Sequence, residues 1–381
     1  RGKPRRSSEI PYRLRVDTSR WSSNVESEPN GTPDRAVEST VSRTDTGVLS
    51  HARDVDLWRL QVPALLSSER LTLEVTPPAG VNTYVAVSWS SHPTHTVSHS
   101  PPAGRPAVFK NLYPPDASSQ LMIKLKSSGP TSPSSPYRIV SHVVDGQAPE
   151  TETEPNNLSA SSTAFTLSRA ITGIFSPPDD VDFHSFKLTT DALVSFSGTL
   201  PTGCQLNASV IQKGGALVGS FTYSHPSPQS ESPRLLLRAG GYDLELKGDG
   251  TCQAAPYTIT TSTEHLGDDD EREDNGDQTS ASVVRLREGI EHRGWLFPGT
   301  DVDWWALDLS DNEQGHITTL HFNLQAQAGV KVSLVNHEGV AVIDGRALHR
   351  SGPSTLTHFL APGRYGLKVE KTEIDAISGM L

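Results

Sequence analysis

The sequence predicts an all-β protein built from three tandem antiparallel β-sandwich domains with a jelly-roll or Greek-key path. One set of motifs occurs three times along the 381 residues, and short alternating apolar and polar stretches recur throughout. The composition includes 28 Pro and 30 Gly, and we find no long segment with helical periodicity. Turn-rich chains of short, evenly spaced strands are typical of sandwiches.

The repeated motifs are an acidic segment, a glycine followed by two apolar residues, and an Asp-Val-Asp-aromatic segment. In every copy the glycine stands seven residues before the first Asp of the last segment. The first copy has Glu26–Asn30, Gly47–Leu49 and Asp54–Leu57; the second has Glu152–Asn156, Gly173–Phe175 and Asp180–Phe183; the third has Glu271–Asn275, Gly294–Leu296 and Asp301–Trp304. Such a fixed offset at a period of about one small domain indicates three similar modules.

Period-2 stretches predict half-buried strands in each module. They lie at Leu71–Val75, Tyr84–Val87, Leu121–Leu125, Tyr242–Leu246, His316–Phe322 and Val330–Leu334. The resulting division is an N-terminal segment 1–24, a first module 25–147, a second module 148–264 and a third module 265–381. Short polar linkers are predicted at Asp145–Pro149 and Glu264–Asp270.

A Pro-Tyr strand closes the first two modules and is missing from the third. Pro136–Ile139 in the first module matches Pro256–Ile259 in the second, and the same spacing places its third counterpart at Met380, where the sequence stops. Pro11–Val16 has the features of such a final strand, but it precedes the first module. It either ends a preceding module of a longer chain or fills the gap in another copy's third module by strand addition.

Charge and cysteine content narrow the class of protein. A formal net charge of -11 argues against a nucleic-acid partner, because such binders gather Lys and Arg on one face. The sequence has no apolar run long enough for a transmembrane helix. Cys204 and Cys252 are the only cysteines, and as a pair within one module they predict a disulfide of an oxidising compartment; two buried thiols would be the cytosolic alternative.

The motifs resemble those of the bacterial pre-peptidase C-terminal domain family, whose copies carry Glu-Pro-Asn, Asp-Val-Asp-Trp-Phe and Ala-Gly-x-Tyr in this order. The resemblance covers nearly the whole chain three times, and a distant branch is the collagen-binding domains of clostridial collagenases. It implies a non-catalytic jelly-roll-like sandwich of secreted and cell-surface proteins, commonly appended to proteases. In the collagenase branch the acidic motifs bind calcium, but an acidic residue there follows the Asn, where this chain has Gly31, Asn157 and Gly276.

The repeated acidic residues are the candidate metal ligands, with calcium as the candidate cofactor. Residues i and i+2 of a strand share a face, and calcium takes six to eight oxygen ligands. The candidates are Glu26, Glu28, Asn30, Asp54 and Asp56; Glu152, Glu154, Asn156, Asp180 and Asp182; and Glu271, Glu273, Asn275, Asp301 and Asp303. The first Asp of each pair is the favoured ligand, and the second can instead cap the turn. The alternative is that Asn and Asp make Asx turns while the Glu side chains are solvated.

Other residue groups favour structural roles. The aromatic residues that follow each Asp-Val-Asp, Trp58, Phe183, Trp304 and Trp305, are expected in the core. His92, His95 and His99 are expected in a surface loop rather than a zinc site. We recognise no catalytic motif and expect no enzymatic activity.

The expected function is that of a spacer, adhesion or protein-interaction segment of an exported bacterial protein, in the periplasm, at the cell surface or secreted. Two alternatives remain: a structural subunit of a large cell-envelope or extracellular assembly, and an accessory substrate-binding region of a secreted protease. In each case the expected partners are other extracytoplasmic proteins.

Overall fold

The computed structural model confirms the predicted all-β class. It describes residues 15, 22, 24–127, 135–146, 150–178, 180–224, 230–231, 234–249, 251–252, 255–272, 276–277, 285–296, 301–309, 316–324, 330–348 and 352–371. Among these, helix is confined to two three-residue 3-10 helices, Pro33–Arg35 and Ser159–Ser161. No helix in this part of the chain is long and apolar enough to cross a bilayer.

Nine strands form two sheets in the first module. They are β1 (Val37–Thr40), β2 (Thr44–Gly47), β3 (Val55–Gln61), β4 (Arg70–Thr76), β5 (Thr83–Trp89), β6 (His92–His99), β7 (Ala107–Leu112), β8 (Leu121–Ser127) and β9 (Tyr137–Val144). One sheet has the order β1-β3-β8-β5-β6 and the other β2-β9-β4-β7. Only β1 and β3 pair in parallel. The non-sequential strand orders are those of a sandwich with crossovers between its sheets.

The second module repeats this arrangement with ten strands. They are β10 (Thr163–Ala164), β11 (Ile171–Gly173), β12 (Val181–Leu188), β13 (Ala192–Thr199), β14 (Gln205–Gln212), β15 (Leu217–Ser224), β16 (Ser230–Glu231), β17 (Leu235–Leu237), β18 (Gly240–Gly248) and β19 (Tyr257–His265). The orders are β10-β12-β18-β14-β15 and β11-β19-β13-β16, with β17 also on β13. Cys204 and Cys252 form the predicted disulfide, which confirms that expectation.

The third module has a complete first sheet and a small second one. Its strands are β20 (Arg285–Leu286), β21 (Val302–Asp308), β22 (His316–Leu324), β23 (Val330–Asn336), β24 (Ala341–Leu348), β25 (Gly352–Leu360) and β26 (Arg364–Lys371). Five of them follow the order β20-β21-β26-β23-β24, as in the other modules, while β22 and β25 form a two-stranded sheet. Pro11–Leu14, Val16 and Met380 lie outside the described residues.

Each module encloses its own cluster of buried side chains between its sheets. Trp58 and Trp305 belong to these clusters, which confirms the core role expected of them. Phe183 and Trp304 are only half-buried and belong to none of the clusters, because strand alternation points them to the opposite face from Asp182 and Asp303.

The expectation for the three histidines was also wrong. His92, His95 and His99 lie in strand β6 and not in a loop, because this Ser/Pro-rich segment pairs with β5 at the sheet edge.

Candidate functional site

The acidic motif and the glycine motif lie side by side in each module. The backbone N–H of Glu26 donates to the carbonyl of Thr46 at 3.0 Å, and Glu152 makes the same bond to Thr172 at 2.9 Å. In the third module Glu271 bonds to Arg293 at 2.9 Å. These bonds turn the first Glu of each motif into the sandwich, where its side chain is buried.

The glycine is required because a tyrosine hydroxyl and a carboxylate fill the space where a side chain would begin. A Cβ atom on Gly47 would overlap the hydroxyl of Tyr137 and the carboxylate of Glu26. A Cβ atom on Gly173 would overlap Tyr257 and Glu152 in the same way. The repeated glycine therefore marks the place where the last strand of a module delivers its tyrosine to the acidic motif.

In the first module the Glu26 carboxylate is held by three donors. The Tyr137 hydroxyl donates to Glu26 Oε2 at 2.6 Å, Asn30 Nδ2 donates to the same oxygen at 3.3 Å, and Val48 N donates to Oε1. Trp58 Nε1 donates to the Tyr137 hydroxyl at 2.8 Å. The buried Asp56 carboxylate lies beside this network, and its burial and the Glu26 carboxylate raise its pKa to about 9.

The second module builds the same network with greater burial. Glu152 Oε1 accepts from Ile174 N at 2.6 Å and from Asn111 Nδ2 of the first module at 2.8 Å. Tyr257 lies within hydrogen-bonding distance of Asp182 Oδ2, 2.6 Å, and Glu152 Oε2, 3.1 Å. Burial raises the pKa of Glu152 to about 7.

His184 replaces the tryptophan of the first module. Its Nε2 lies 2.8 Å from the Tyr257 hydroxyl, where Trp58 Nε1 lies in the first module. The tyrosine proton is needed by the carboxylates, so we assign the Nε2–H tautomer to His184. Burial lowers the His184 pKa to about 3, which keeps the ring neutral at physiological pH.

Several buried polar atoms of the second module's cluster have no hydrogen-bond partner within the described part of the chain. They are Glu154 Oε1, Asp182 Oδ1 and both amide atoms of Asn156, whose side chain is fully buried. Glu154 Oε2 accepts only from the Asn156 backbone N–H, at 2.8 Å. Burial, and after it the neighbouring carboxylates, raises the pKa values of Glu154 and Asp182 well above their usual range. Such uncompensated buried oxygens bind either protons or a cation.

The two Asp residues of each motif have distinct positions. Asp54 Oδ2 accepts from Ser50 N at 2.6 Å, and Asp180 Oδ2 accepts from Ser176 N at 3.1 Å, so the first Asp closes the turn. The expectation that the second Asp could cap this turn was wrong, because strand alternation points Asp56 and Asp182 at the tyrosine and the first Glu instead. Three carboxylate oxygens nevertheless lie within 4.8 Å of one another in the second module, one each from Glu154, Asp180 and Asp182. The first module has an equivalent group from Glu26, Glu28 and Asp56.

The predicted ligands of the third module are only partly described. Glu271 and Asp303 are buried, and Asp301 Oδ1 accepts from Val302 N at 2.9 Å. Glu273 and Asn275 lie outside the described residues. Of the five motif glutamates within the described ranges, Glu28 alone is exposed, as the alternative interpretation expected; Glu26, Glu152, Glu154 and Glu271 are buried.

The first module covers the acidic motif of the second. Trp89 Nε1 donates to the Glu154 carbonyl at 3.3 Å, and Arg70 donates to the carbonyls of Glu152 and Thr151, both at 3.2 Å. Glu154 also exchanges backbone hydrogen bonds with Asn111 and Tyr113. The joint between the two modules is thus built on the acidic motif itself.

Sequence reasoning missed several residues of this site. Tyr137 and Tyr257 were recognised as repeat positions but not as partners of the carboxylates, although the repeated Pro-Tyr marks them. Asn111 belongs to no repeated motif and has a positive φ of 56°, so nothing in the sequence indicates its contact with Glu152.

Comparisons with known proteins do not assign this chain to a family. No family model and no curated protein matches the chain. Among solved structures, the chain is similar to the N-terminal CBM22-1-CBM22-2 tandem domain of Paenibacillus barcinonensis Xyn10C, at 10% identity and a TM-score of 0.20, covering 59% of this chain and 91% of that one. A putative beta-galactosidase from Bacteroides fragilis matches at 12% identity and a TM-score of 0.18, over 57% of this chain and 33% of that one.

A third match is beta-glucuronidase 2 of Bacteroides uniformis, at 11% identity and a TM-score of 0.17, over 56% of this chain and 27% of that one. The chain thus spans about a third or less of the length of the two enzymes. At these scores the matches carry no argument about fold or function.

Proposed function

We propose that this chain is a non-catalytic tandem segment of an exported bacterial protein, which connects or binds other proteins and is stiffened by cations. The proposal includes membership of the pre-peptidase C-terminal domain family, supported by the three spaced motif sets. The disulfide supports an oxidising, extracytoplasmic location. The observation that carries the cation sites is the fully buried Asn156, whose backbone N–H is bonded to Glu154 and whose two amide atoms have no partner in the described part of the chain. Beside it, one carboxylate oxygen from each of Glu154, Asp180 and Asp182 lies within 4.8 Å of the others.

The oxygen chemistry of the second module's site fits calcium best. Glu154, Asp180 and Asp182 would supply carboxylate oxygens and Asn156 an amide oxygen, with Glu152 beside them. Hard oxygen ligands of this kind are those that calcium prefers. Glu26, Glu28 and Asp56, with Asn30, would form the first module's site, which is more open because Glu28 is exposed.

A bound cation would stabilise the joint between the first two modules. It would offset the repulsion among carboxylates whose backbone is held by Asn111, Tyr113, Trp89 and Arg70. Two modules fixed in this way present a defined surface to a partner, whereas modules on a free linker do not.

Thermal unfolding in calcium and in excess chelator tests this proposal. A site saturated about 100-fold above its Kd adds about 2.7 kcal/mol, which raises the Tm of a domain of about 120 residues by roughly 10 °C. Asp182→Asn should lose most of that calcium-induced rise. Asp243→Asn, at a buried aspartate bonded to Ser159 and Lys213 outside the site, should keep it. Equal Tm values of the unaltered protein in calcium and chelator would reject the cation sites.

The alternative role as a structural subunit of a large envelope assembly is favoured by one observation, the small second sheet of the third module. Among the strands that the structure describes, β22 is paired with β25 alone, whereas β4 and β13 each have paired neighbours on both sides. An edge of this kind invites pairing with another chain. We find no comparable observation for an accessory region of a secreted protease.

A further inference from the structure

The last strand of the first sheet differs among the three modules. This strand is β6 in the first module, β15 in the second and β24 in the third. An open edge presents backbone N–H and C=O groups to other chains, and soluble proteins protect it with charges, proline or irregular pairing. Strand β6 contains Pro93 and pairs irregularly with β5. Strand β24 contains Asp344 and Arg346 and shifts its register twice against β23. Both edges are therefore protected.

Strand β15 has little of this protection. Its sequence, Leu217–Ser224, contains no charged residue and no proline. Its register shift against β14 lies near its first residue, and every residue from Gly219 to Ser224 has a regular partner on β14. The side chains of Ser220, Thr222 and Ser224 are exposed, and among the described strands β15 pairs with β14 alone. The second module thus presents a regular, uncharged strand at this edge.

Alternate residues of β15 direct their backbone groups away from β14. In an antiparallel sheet, successive residues of a strand bond alternately to the neighbours on its two sides. Gln205 on β14 accepts a backbone hydrogen bond at 2.9 Å from the residue that follows β18, so it bonds to the β18 side. The alternation makes Ala208 bond to the other side, to its partner Phe221. Ser220 and Thr222, which flank Phe221, therefore point their N–H and C=O groups outward.

The core is also incompletely covered along β15. Phe221 lies on the inward face, where its ring stacks on that of Phe196 at a centroid distance of 5.7 Å. Its partner Ala208 is completely buried, but Phe221 itself is only half-buried. A further strand next to β15 would bury more of this ring and stabilise the edge by the apolar surface it removes from water.

A second copy of β15 fits this edge in one antiparallel register. With a two-fold axis at Phe221, the outward backbone groups of Ser220 lie opposite those of the partner subunit's Thr222, and the two pairs of residues exchange hydrogen bonds. The two Phe221 rings then lie side by side on the inward face. Tyr223 lies opposite the partner subunit's Gly219, which has no side chain to obstruct it. Since the strand carries no charge, it meets its own copy without like-charge repulsion.

We propose that β15 of one copy of this chain pairs with β15 of a second copy, antiparallel about a two-fold axis at Phe221, so that two second modules share one continuous sheet. Such a contact is isologous and closed, so it gives a dimer and not a row of copies. One pair of strands buries less surface than a standard interface, so the dimer should dissociate on dilution. The contact does not involve the cation sites, and either proposal can fail alone.

A charge-swap experiment on the full chain tests this inference. In the proposed register, a lysine variant with Ser220→Lys and Thr222→Lys places each new charge directly opposite a like charge, and so does a glutamate variant with Ser220→Glu and Thr222→Glu. Sedimentation equilibrium should show a dimer of the unaltered chain that each variant weakens at least about tenfold, or about 1.4 kcal/mol. A mixture of the two variants should form a heterodimer, because opposite charges then meet.

The matched control adds the same charge to the protected edge of the first module. Thr94→Lys with Thr96→Lys changes two exposed side chains of β6 and should leave the dimer unchanged. Hydrogen exchange of the unaltered chain gives a readout that needs no variant. The backbone N–H groups of Ser220 and Thr222 should exchange more slowly at high protein concentration than at low, whereas that of Phe221, already bonded to β14, should not change.

Four results would overturn the inference. They are a chain that stays monomeric up to about 1 mM, a dimer that the lysine and glutamate variants leave unchanged, a mixture of these variants that forms no heterodimer, and exchange at Ser220 and Thr222 that does not depend on concentration. A dimer weakened equally by the β6 control would also contradict it, because the effect would then follow the net charge and not the edge of the second module.

Discussion

The second and third modules share one motif set but differ in how it is completed. In the second module the last strand brings Tyr257 to Glu152 and Asp182, and the first module seals the site with Asn111 and Trp89. In the third module the described residues include the corresponding Glu271, Asp303 and Trp305 but no strand equivalent to β19. In the second module, then, the repeated residues form a buried site that is closed by the last strand, through Tyr257, and by the first module, through Asn111 and Trp89.

The two joints between the modules also differ in how many contacts they make and how deeply these are buried. The first joint has four residues of the first module bonded to the acidic motif of the second. In the described residues near the second joint, the cross-contact is an ion pair between exposed side chains, Arg293 and Glu264, at 2.8 Å. Exposed pairs contribute little, about 0–1 kcal/mol. The same chain therefore has a buried joint at the acidic motif of the second module and an exposed one near the linker to the third.

The largest expected effect comes from adding one methyl group at the repeated glycine. Gly173→Ala should cost about 3 kcal/mol or more, because the new Cβ overlaps Tyr257 and Glu152, which are held by the last strand. Gly294→Ala should cost clearly less, since the carboxylate end of Glu271 and the edge of Trp305 can shift. Chemical denaturation of both variants measures the difference in the free energy of unfolding. Equal decreases would mean that the surroundings of Gly294 are packed as tightly as those of Gly173.

The next effect is the pH dependence of stability in chelator. Burial raises the pKa of Asp56 from 3.8 to about 9 and that of Glu152 from 4.5 to about 7. Between the ordinary pKa and the raised pKa of each group, the native state binds more protons than the unfolded state. The free energy of unfolding should therefore fall as the pH rises from about 5 to 8. The fall should come from the first two modules.

Calcium should flatten this pH profile, because the cation takes the place of the protons and holds the carboxylates ionised. Denaturant melts at a series of pH values, in calcium and in chelator, measure both curves. A stability that rises with pH in chelator would contradict the assignment of raised pKa values to these buried carboxylates.

The smallest expected effect distinguishes the two joints. Asn111→Ala leaves Glu152 Oε1 without its donor from the first module and should cost about 1–2 kcal/mol. It should also speed hydrogen exchange at the backbone N–H of Glu154, which is bonded to the Asn111 carbonyl at 2.9 Å. Arg293→Ala should change stability by less than about 1 kcal/mol. Faster exchange at Glu154 in Arg293→Ala but not in Asn111→Ala would reverse this ranking of the joints.

The fold could be predicted largely from local patterns, and the site only in part. Period-2 stretches and the threefold motif indicate strands and sandwiches directly, because alternation and turn chemistry are local. The acidic residues were identified by spacing, but their burial depends on the glycine, the last-strand tyrosine and Trp58 or His184, which are distant in sequence. Asn111 could not be predicted, because its role depends on how two modules meet. His92–His99 was misassigned since Ser and Pro obscured an edge strand.

Calcium content after equilibrium dialysis tests the central claim most directly. The protein is dialysed against buffered calcium, the excess in the protein compartment is measured by elemental analysis, and Glu154→Gln and Asp182→Asn are carried in parallel. The account predicts calcium bound to the unaltered chain and a loss of about one equivalent in each second-module variant. No calcium above the buffer level, or the same content in all three proteins, would contradict it.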